Sequence, residues 1–219
     1  MRVALVLLAW LGSVGPAGAV PIFLGLGDLP GERFESEAHA VSADGTTVVG
    51  RSASSVGTEA FLWTQATGMI GGLGGGVAED ASSDGSVVVG WGDGFRWTEA
   101  GGSVPIPLNV PRAVSADGSV LAGRLGNEAY LWDATHGARS IEGLLGNGGL
   151  DLTGWALIEV TDISADGHTL VGYGTNPSGS FEAWMEVVPG PPPATLVLLG
   201  LLAGVPRLRR GVGAVRGHR

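Results

Sequence analysis

The phrase "AVSADGTTVVG" at residues 40–50 returns as "DASSDGSVVVG" at 80–90, "AVSADGSVLAG" at 113–123 and "DISADGHTLVG" at 162–172. A chain that writes one phrase four times commits itself to a repeat architecture. In such folds each unit buries its apolar face against its neighbours rather than within itself. The fold must therefore come from stacking similar units, and the content of one unit decides its class.

That unit reads as β structure. The apolar runs are short and rich in valine, none shows sustained helical periodicity, and 40 glycines punctuate them. A short first strand (Ala40–Ser42, Ala81–Ser82, Ala113–Ser115, Asp162–Ser164) leads into Asp44-Gly45, Asp84-Gly85, Asp117-Gly118 or Asp166-Gly167. Asp-Gly between apolar runs predicts a tight hairpin in which both residues take positive φ. A second strand follows over 46–51, 86–91, 119–124 and 168–173, with a late glycine (Gly50, Gly90, Gly123, Gly172) that predicts a bulge or a close backbone approach. The third strand is "EAFLWT" (59–64), "GFRWT" (94–98), "EAYLWD" (128–133) and "EAWMEV" (182–187). Its tryptophans Trp63, Trp97, Trp132 and Trp184 are expected in the core, whereas Trp91 and Trp155 break the pattern and are the candidates for exposed contacts. A fourth strand is expected in "FLGLGDLPG" (23–31), "MIGGLGGG" (69–76), "VPIPLNV" (104–110) and "SIEGLLG" (140–146), with an insertion at 147–157.

Units of four strands at Asp-to-Asp intervals of 40, 33 and 49 residues predict an all-β fold, a small β-propeller of about four blades. A β-solenoid or an open half-ring are the alternatives. The last unit ends at "EAWMEV" without a fourth strand, and Phe23–Leu29 precedes any complete unit. The expectation is that Phe23–Leu29 pairs beside Ala183–Val187 and closes the ring, covering an otherwise open edge.

Both ends of the chain read as addresses. Residues 1–19, "MRVALVLLAWLGSVGPAGA", carry a basic start, an apolar core and a small-residue close, the pattern of a secretory signal peptide cleaved between Ala19 and Val20. Residues 20–187 then form the repeat domain, and 188–219 a tail. In that tail a proline run precedes the uncharged stretch Ala194–Val205 and then Arg207, Arg209 and Arg210. Twelve helical residues reach about 18 Å, short of a hydrocarbon core of about 30 Å, and the arginines would hold the C-terminal side in the cytoplasm.

This tail resembles the PEP-CTERM sorting signals of Gram-negative bacteria, with Val188-Pro189-Gly190-Pro191 in place of Pro-Glu-Pro, so Gly190 stands where that family has its glutamate. The order "LGDLPG … AVSADG … VVG … EAFLW" and the closing "GWALIEVTDISADGHTLVGYGTNPSGSFEAW" (154–184) resemble the HAF-type extracellular repeat proteins over nearly all of 23–187. The resemblance implies a secreted or surface β-repeat protein that passes through an inner-membrane intermediate. It implies an exosortase-type processing enzyme as partner, and no catalytic residues to carry over.

The chemistry legible in the residues is sparse. All 21 acidic residues and six of the 12 basic ones fall in 20–187, a balance of −15, and every basic residue is arginine. Such a surface does not suit nucleic acid or anionic lipid, which need clustered cations. Cysteine is absent, which removes thiol chemistry. His39, His136 and His168 sit at unrelated places in the repeat, and no HExxH or GxSxG pattern occurs. "GLGGG" (72–76) lacks the Lys-Ser/Thr of a phosphate loop. The turn aspartates lack the alternating acidic loop that calcium requires and are expected to accept backbone N–H bonds. No cofactor is expected. The function expected is a non-enzymatic contact with extracellular polysaccharide or protein; the alternatives are a glycan-active enzyme using loop carboxylates or a purely structural repeat.

Overall fold

The computed structural model describes residues 23–31 and 33–188. Among the described residues, fifteen strands form four antiparallel sheets laid out in chain order, with one helix between the third and the fourth. The first holds β1 (Ser36–Val41), β2 (Thr47–Ser54), β3 (Gly57–Thr64) and β4 (Gly68–Ile70). The second holds β5 (Val77–Ala81), β6 (Val87–Trp91), β7 (Phe95–Thr98) and β8 (Gly102–Pro105). The third holds β9 (Val110–Val114), β10 (Val120–Leu125), β11 (Glu128–Asp133) and β12 (Gly137–Ser140). The fourth has three strands, β13 (Ala156–Ile163), β14 (Thr169–Thr175) and β15 (Phe181–Val187).

Each sheet is a meander, and the sheets pack face to face, the second strand of one against the first strand of the next. Three apolar clusters fill the three junctions. Val49, Leu62, Leu73, Ala78 and Val88 lie between the first and second sheets. Val87, Val89, Leu108, Val114 and Leu121 lie between the second and third, and Leu131, Ile141, Leu157, Val160 and Leu170 between the third and fourth. Valine and leucine on both faces of a sheet explain the near-continuous apolar second strands, since a middle sheet is covered on both sides. Of the third-strand tryptophans expected in the core, Trp97, Trp132 and Trp184 are half-buried and pack against these clusters from the side, whereas Trp63, also half-buried, belongs to none of them. Among the aromatics of those strands it is Phe61 and Phe95 that are buried.

The fourth strands begin elsewhere than the sequence suggests. Each of β4, β8 and β12 is entered through a glycine at positive φ: Gly68, Gly102 and Gly137, at 67°, 65° and 70°. "SIEGLLG" is not a strand but the helix α1 (Ile141–Asn147), capped by the Ser140 hydroxyl, which accepts from Gly143 N–H. Glu142 then reaches across to accept from Leu157 N–H at 2.8 Å and ties the helix to β13.

The ring-closing pairing is not formed. Phe23–Leu29 contains no strand, and β15 is the edge of its sheet. The segment lies on the first sheet instead: Leu29 N–H donates to Ser52 Oγ at 3.0 Å, Ser36 Oγ to the Gly27 carbonyl at 2.6 Å, and Ser55 N–H to the Pro30 carbonyl at 3.1 Å. Leu29 is buried, whereas Phe23 is exposed. The physical reason is local: glycines separate the apolar residues of "FLGLG", and Gly27 takes φ 83°, outside any strand conformation. Among the described residues the packing runs from first sheet to second to third to fourth, with no fourth cluster joining the last sheet to the first.

Candidate functional site

The repeated turn is a hydrogen-bonded device. Ser42 N–H donates to the Thr47 carbonyl and Gly45 N–H to the Ser42 carbonyl, at 2.9 and 2.8 Å. Inside this frame Asp44 accepts from the Ser42 hydroxyl (2.6 Å) and Thr46 N–H (2.9 Å), and Thr47 N–H donates back to Ser42 Oγ (3.0 Å). The same bonds recur at Ser82/Asp84, Ser115/Asp117 and Ser164/Asp166. Glycine alone has positive φ in these turns (73°, 69°, 71° and 74° at Gly45, Gly85, Gly118 and Gly167), and among the described residues no non-glycine residue does. The connection is thus a four-residue loop built on an i to i+3 turn, not the two-residue turn expected from Asp-Gly. These bonds hold the carboxylates charged. The Ser115 and Ser119 hydroxyls and Ser119 N–H lower Asp117 to about 2, and the Ser86 side chain and N–H with the Ser82 hydroxyl lower Asp84 to about 2.

The turns also bond to one another across sheets. Asp44 N–H donates to the Ser83 carbonyl, Ser83 N–H to Ala116 and Ala116 N–H to Ala165, at 3.3, 2.9 and 3.0 Å. The phrase repeats because its copies form one ladder across the four sheets.

The late glycines Gly50, Gly90, Gly123 and Gly172 each press on a first-strand carbonyl, that of Glu37, Val77, Val110 or Glu159, where a β-carbon would overlap. The first strand bulges opposite each of them, and the register skips His39, Glu79, Arg112 and Thr161. These positions, each three residues before a turn serine, begin a polar row that joins all four sheets. His39 Nδ1 lies 3.6 Å from Glu79, and Glu79 takes Arg112 Nη1 at 3.0 Å and the Trp91 indole N–H at 2.5 Å. Arg112 Nε reaches Glu159 at 2.6 Å; Glu159 also accepts from the Tyr173 hydroxyl at 3.1 Å and faces Arg124 at 3.4 Å. Glu159 is 2 % exposed, a buried carboxylate held between two guanidinium groups. Burial raises the Tyr173 hydroxyl above its ordinary range, with the Glu159 charge adding to it. Trp91, 40 % exposed, is the large aromatic at the accessible edge of the row.

Beside the row, Asp80 accepts from its neighbour Ala81 N–H and from Val114 N–H of the next sheet, both at 2.8 Å. Burial raises its pKa against the pull of those two bonds. A different environment surrounds Glu186. Leu145, Leu152, Trp155, Leu157, Trp184 and Met185 line a cavity of about 190 Å³ at its side chain. Both Glu186 carboxylate oxygens and the Trp184 indole nitrogen are buried without hydrogen-bond partners among the described residues. Burial alone pushes Glu186 up to about 7.

The residues singled out in the sequence separate accordingly. The turn pairs Asp44-Gly45 through Asp166-Gly167 stand in one ladder. His39 belongs to the polar row, whereas His136 lies on Asp133 in an exposed turn and His168 follows the last Asp-Gly. Trp91 is exposed and Trp155 lines the cavity. Val188 donates its N–H to the His168 carbonyl at 2.8 Å and packs on the third cluster. Ala19, Val20, Pro189, Gly190, Pro191, Arg207, Arg209 and Arg210, with the span Ala194–Val205, lie outside the described residues. The row of Glu79, Arg112, Arg124, Glu159 and Tyr173 went unread in the sequence. Its signal was present in the late glycines, since a glycine that admits a bulge marks the residue opposite as turned out of the ladder. A scan against models of protein families and a search of curated proteins each found no match to this chain.

Proposed function

We propose that this chain is an exported, surface-sorted β-repeat protein without catalytic activity of its own, which contacts extracellular polysaccharide along its polar row. The observation that carries the reading is how the row's charges are used. Glu79 and Glu159 are both engaged by Arg112, so neither is poised as the acid or the base of a glycoside-cleaving pair. What the row offers outward is an aromatic surface beside fixed polar groups, Trp91 with Glu79 and His39, a combination suited to stacking on a sugar ring while hydrogen-bonding its hydroxyls. The fine architecture proposed with it is an open arc of four propeller-like sheets.

Export and sorting rest on the two ends of the sequence and on the resemblances described above, with exosortase-type processing and transient inner-membrane anchoring before release to the surface of a Gram-negative cell. Two measurements test this reading. N-terminal sequencing of protein recovered outside the cytoplasm should begin at Val20, and an intact Met1 would overturn export by a cleaved signal. Binding to a panel of extracellular polysaccharides should be lost in Trp91→Ala while the melting temperature holds. Hydrolysis of any panel member by the wild type would reassign the chain to the enzymes.

A further inference from the structure

The three sheet junctions use one set of contacts. A β-carbon at Gly85 would meet the Thr47 side chain, one at Gly118 the Val87 side chain, and one at Gly167 the Val120 side chain. Each turn therefore nests against the first residue of the preceding sheet's second strand. At the outer face of the first sheet that set is half-made. Gly45, the equivalent glycine, has nothing within 4 Å. Val41 is 58 % exposed, where its counterparts Ala81, Val114 and Ile163 are 9, 6 and 8 % exposed.

The outer face of the fourth sheet lacks the other half. Val171 is 39 % and its cross-strand partner Met185 70 % exposed. At the same places in the first and third sheets, Val49 with Leu62 and Ala122 with Leu131 are all at 6 % or below. Val187 adds to this apolar face. The polar contacts are complementary too. Asp162 accepts from its own neighbour Ile163 N–H through Oδ1, as Asp80 does from Ala81 N–H. Asp80 uses Oδ2 to take Val114 N–H of the following sheet, and the amide at that place in the first sheet is Val41 N–H.

We propose that the fourth sheet of one copy packs on the first sheet of a second copy, repeating the internal junction between chains. Thr169, the counterpart of Thr47, Val87 and Val120, then stands over Gly45 of the next copy, and Asp162 Oδ2 takes its Val41 N–H. Two different faces meet, so the contact is head-to-tail, and it propagates until the array closes on itself. An occupant other than a copy of this chain would have to reproduce a sheet face that the chain already builds three times over.

The chain contains no cysteine, so introduced ones report cleanly. A β-carbon at Gly167 would lie 3.4 Å from Val120 Cβ, near the spacing a disulfide spans. Full-length Gly45→Cys and Thr169→Cys chains, purified separately, are mixed and oxidised. The expected product is a disulfide-linked pair formed in the mixture and by neither variant alone. Light scattering on the wild type should give more than the 22.1 kDa of one chain, and Met185→Asp should return it to that mass. A one-chain mass for the wild type, cross-linking within either single variant, or a disulfide closed inside one chain when Gly45→Cys and Thr169→Cys are placed together in it would each overturn the proposal.

Discussion

Gly85 of the second sheet lies against Thr47 of the first so closely that a β-carbon placed there would stand 2.6 Å from Thr47 Cβ. This glycine is fixed twice, by φ 69° and by the neighbouring sheet, whereas Gly45 is fixed by φ alone. The left-handed region costs an L-residue roughly 1–2 kcal/mol, and overpacking a tight contact adds about 1–3 kcal/mol. Gly85→Ala should therefore destabilise the fold by about 3 kcal/mol and Gly45→Ala by about 1 kcal/mol. Chemical denaturation of both variants checks this; equal losses would mean that Gly85 carries no packing constraint.

Glu159 offers a second test. Removing one partner of a fully buried ion pair costs about 3–5 kcal/mol. Here Arg112 and Arg124 keep about a third of their side-chain surface, at 34 and 30 % exposure, and can turn to water. Glu159→Gln, which retains an acceptor for the Tyr173 hydroxyl, should then cost near 2 kcal/mol. Because Arg112 also holds Glu79, Arg112→Met should loosen both ends of the row, and denaturant unfolding of the two variants separates the effects. A neutral Glu159→Gln would show that the row contributes nothing to stability.

The second and third strands were legible because valine runs, Asp-Gly pairs and a terminal aromatic phrase mark them locally. What stayed illegible depends on neighbours. "FLGLG" reads as a strand by composition, but its fate is decided by Ser52 Oγ on the first sheet. "SIEGLLG" has strand-like spacing, yet Ser140 and Glu142 are a helix start, and "TQATG", "TEAGG" and "DATHG" were the turns that place the real fourth strands. The polar row could not be seen as a cluster at all. Glu79, Arg112 and Glu159 are 33 and 47 residues apart, and only the stacking of bulges brings them together.

The turn carboxylates set the acid limit. Asp84 and Asp117 are lowered to about 2, and Asp44 and Asp166 are lowered as well. A carboxylate with a depressed folded-state pKa contributes stability above its unfolded value, near 3.9, and that contribution disappears as pH falls toward 2. Melting temperature should thus drop steeply between pH 4 and pH 2. Asp117→Asn, less stable at pH 5, should converge on the wild type at pH 2. A constant difference between the two across that range would show that the charge of Asp117 plays no part.

Glu186 should produce the opposite slope at higher pH. Its carboxyl is raised from 4.5 to about 7 by burial, in a cavity walled by Trp155, Trp184 and leucines. Between those two values the folded state holds a proton that the unfolded chain has released, so stability falls as pH rises through the window and levels off above it. At about 1.4 kcal/mol per pH unit the loss by pH 8 would be roughly 3.5 kcal/mol, which partial screening by solvent lowers to on the order of 2–3 kcal/mol. Glu186→Gln cannot lose that proton and keeps nearly the same volume. It should match the wild type at pH 4.5 and exceed it in melting temperature at pH 8, by several degrees for a domain of this size. Thermal unfolding of both proteins from pH 4.5 to pH 8 measures the divergence directly. Parallel curves would mean that Glu186 finds a partner when charged, and the cavity would then be closed by a group that neutralises it.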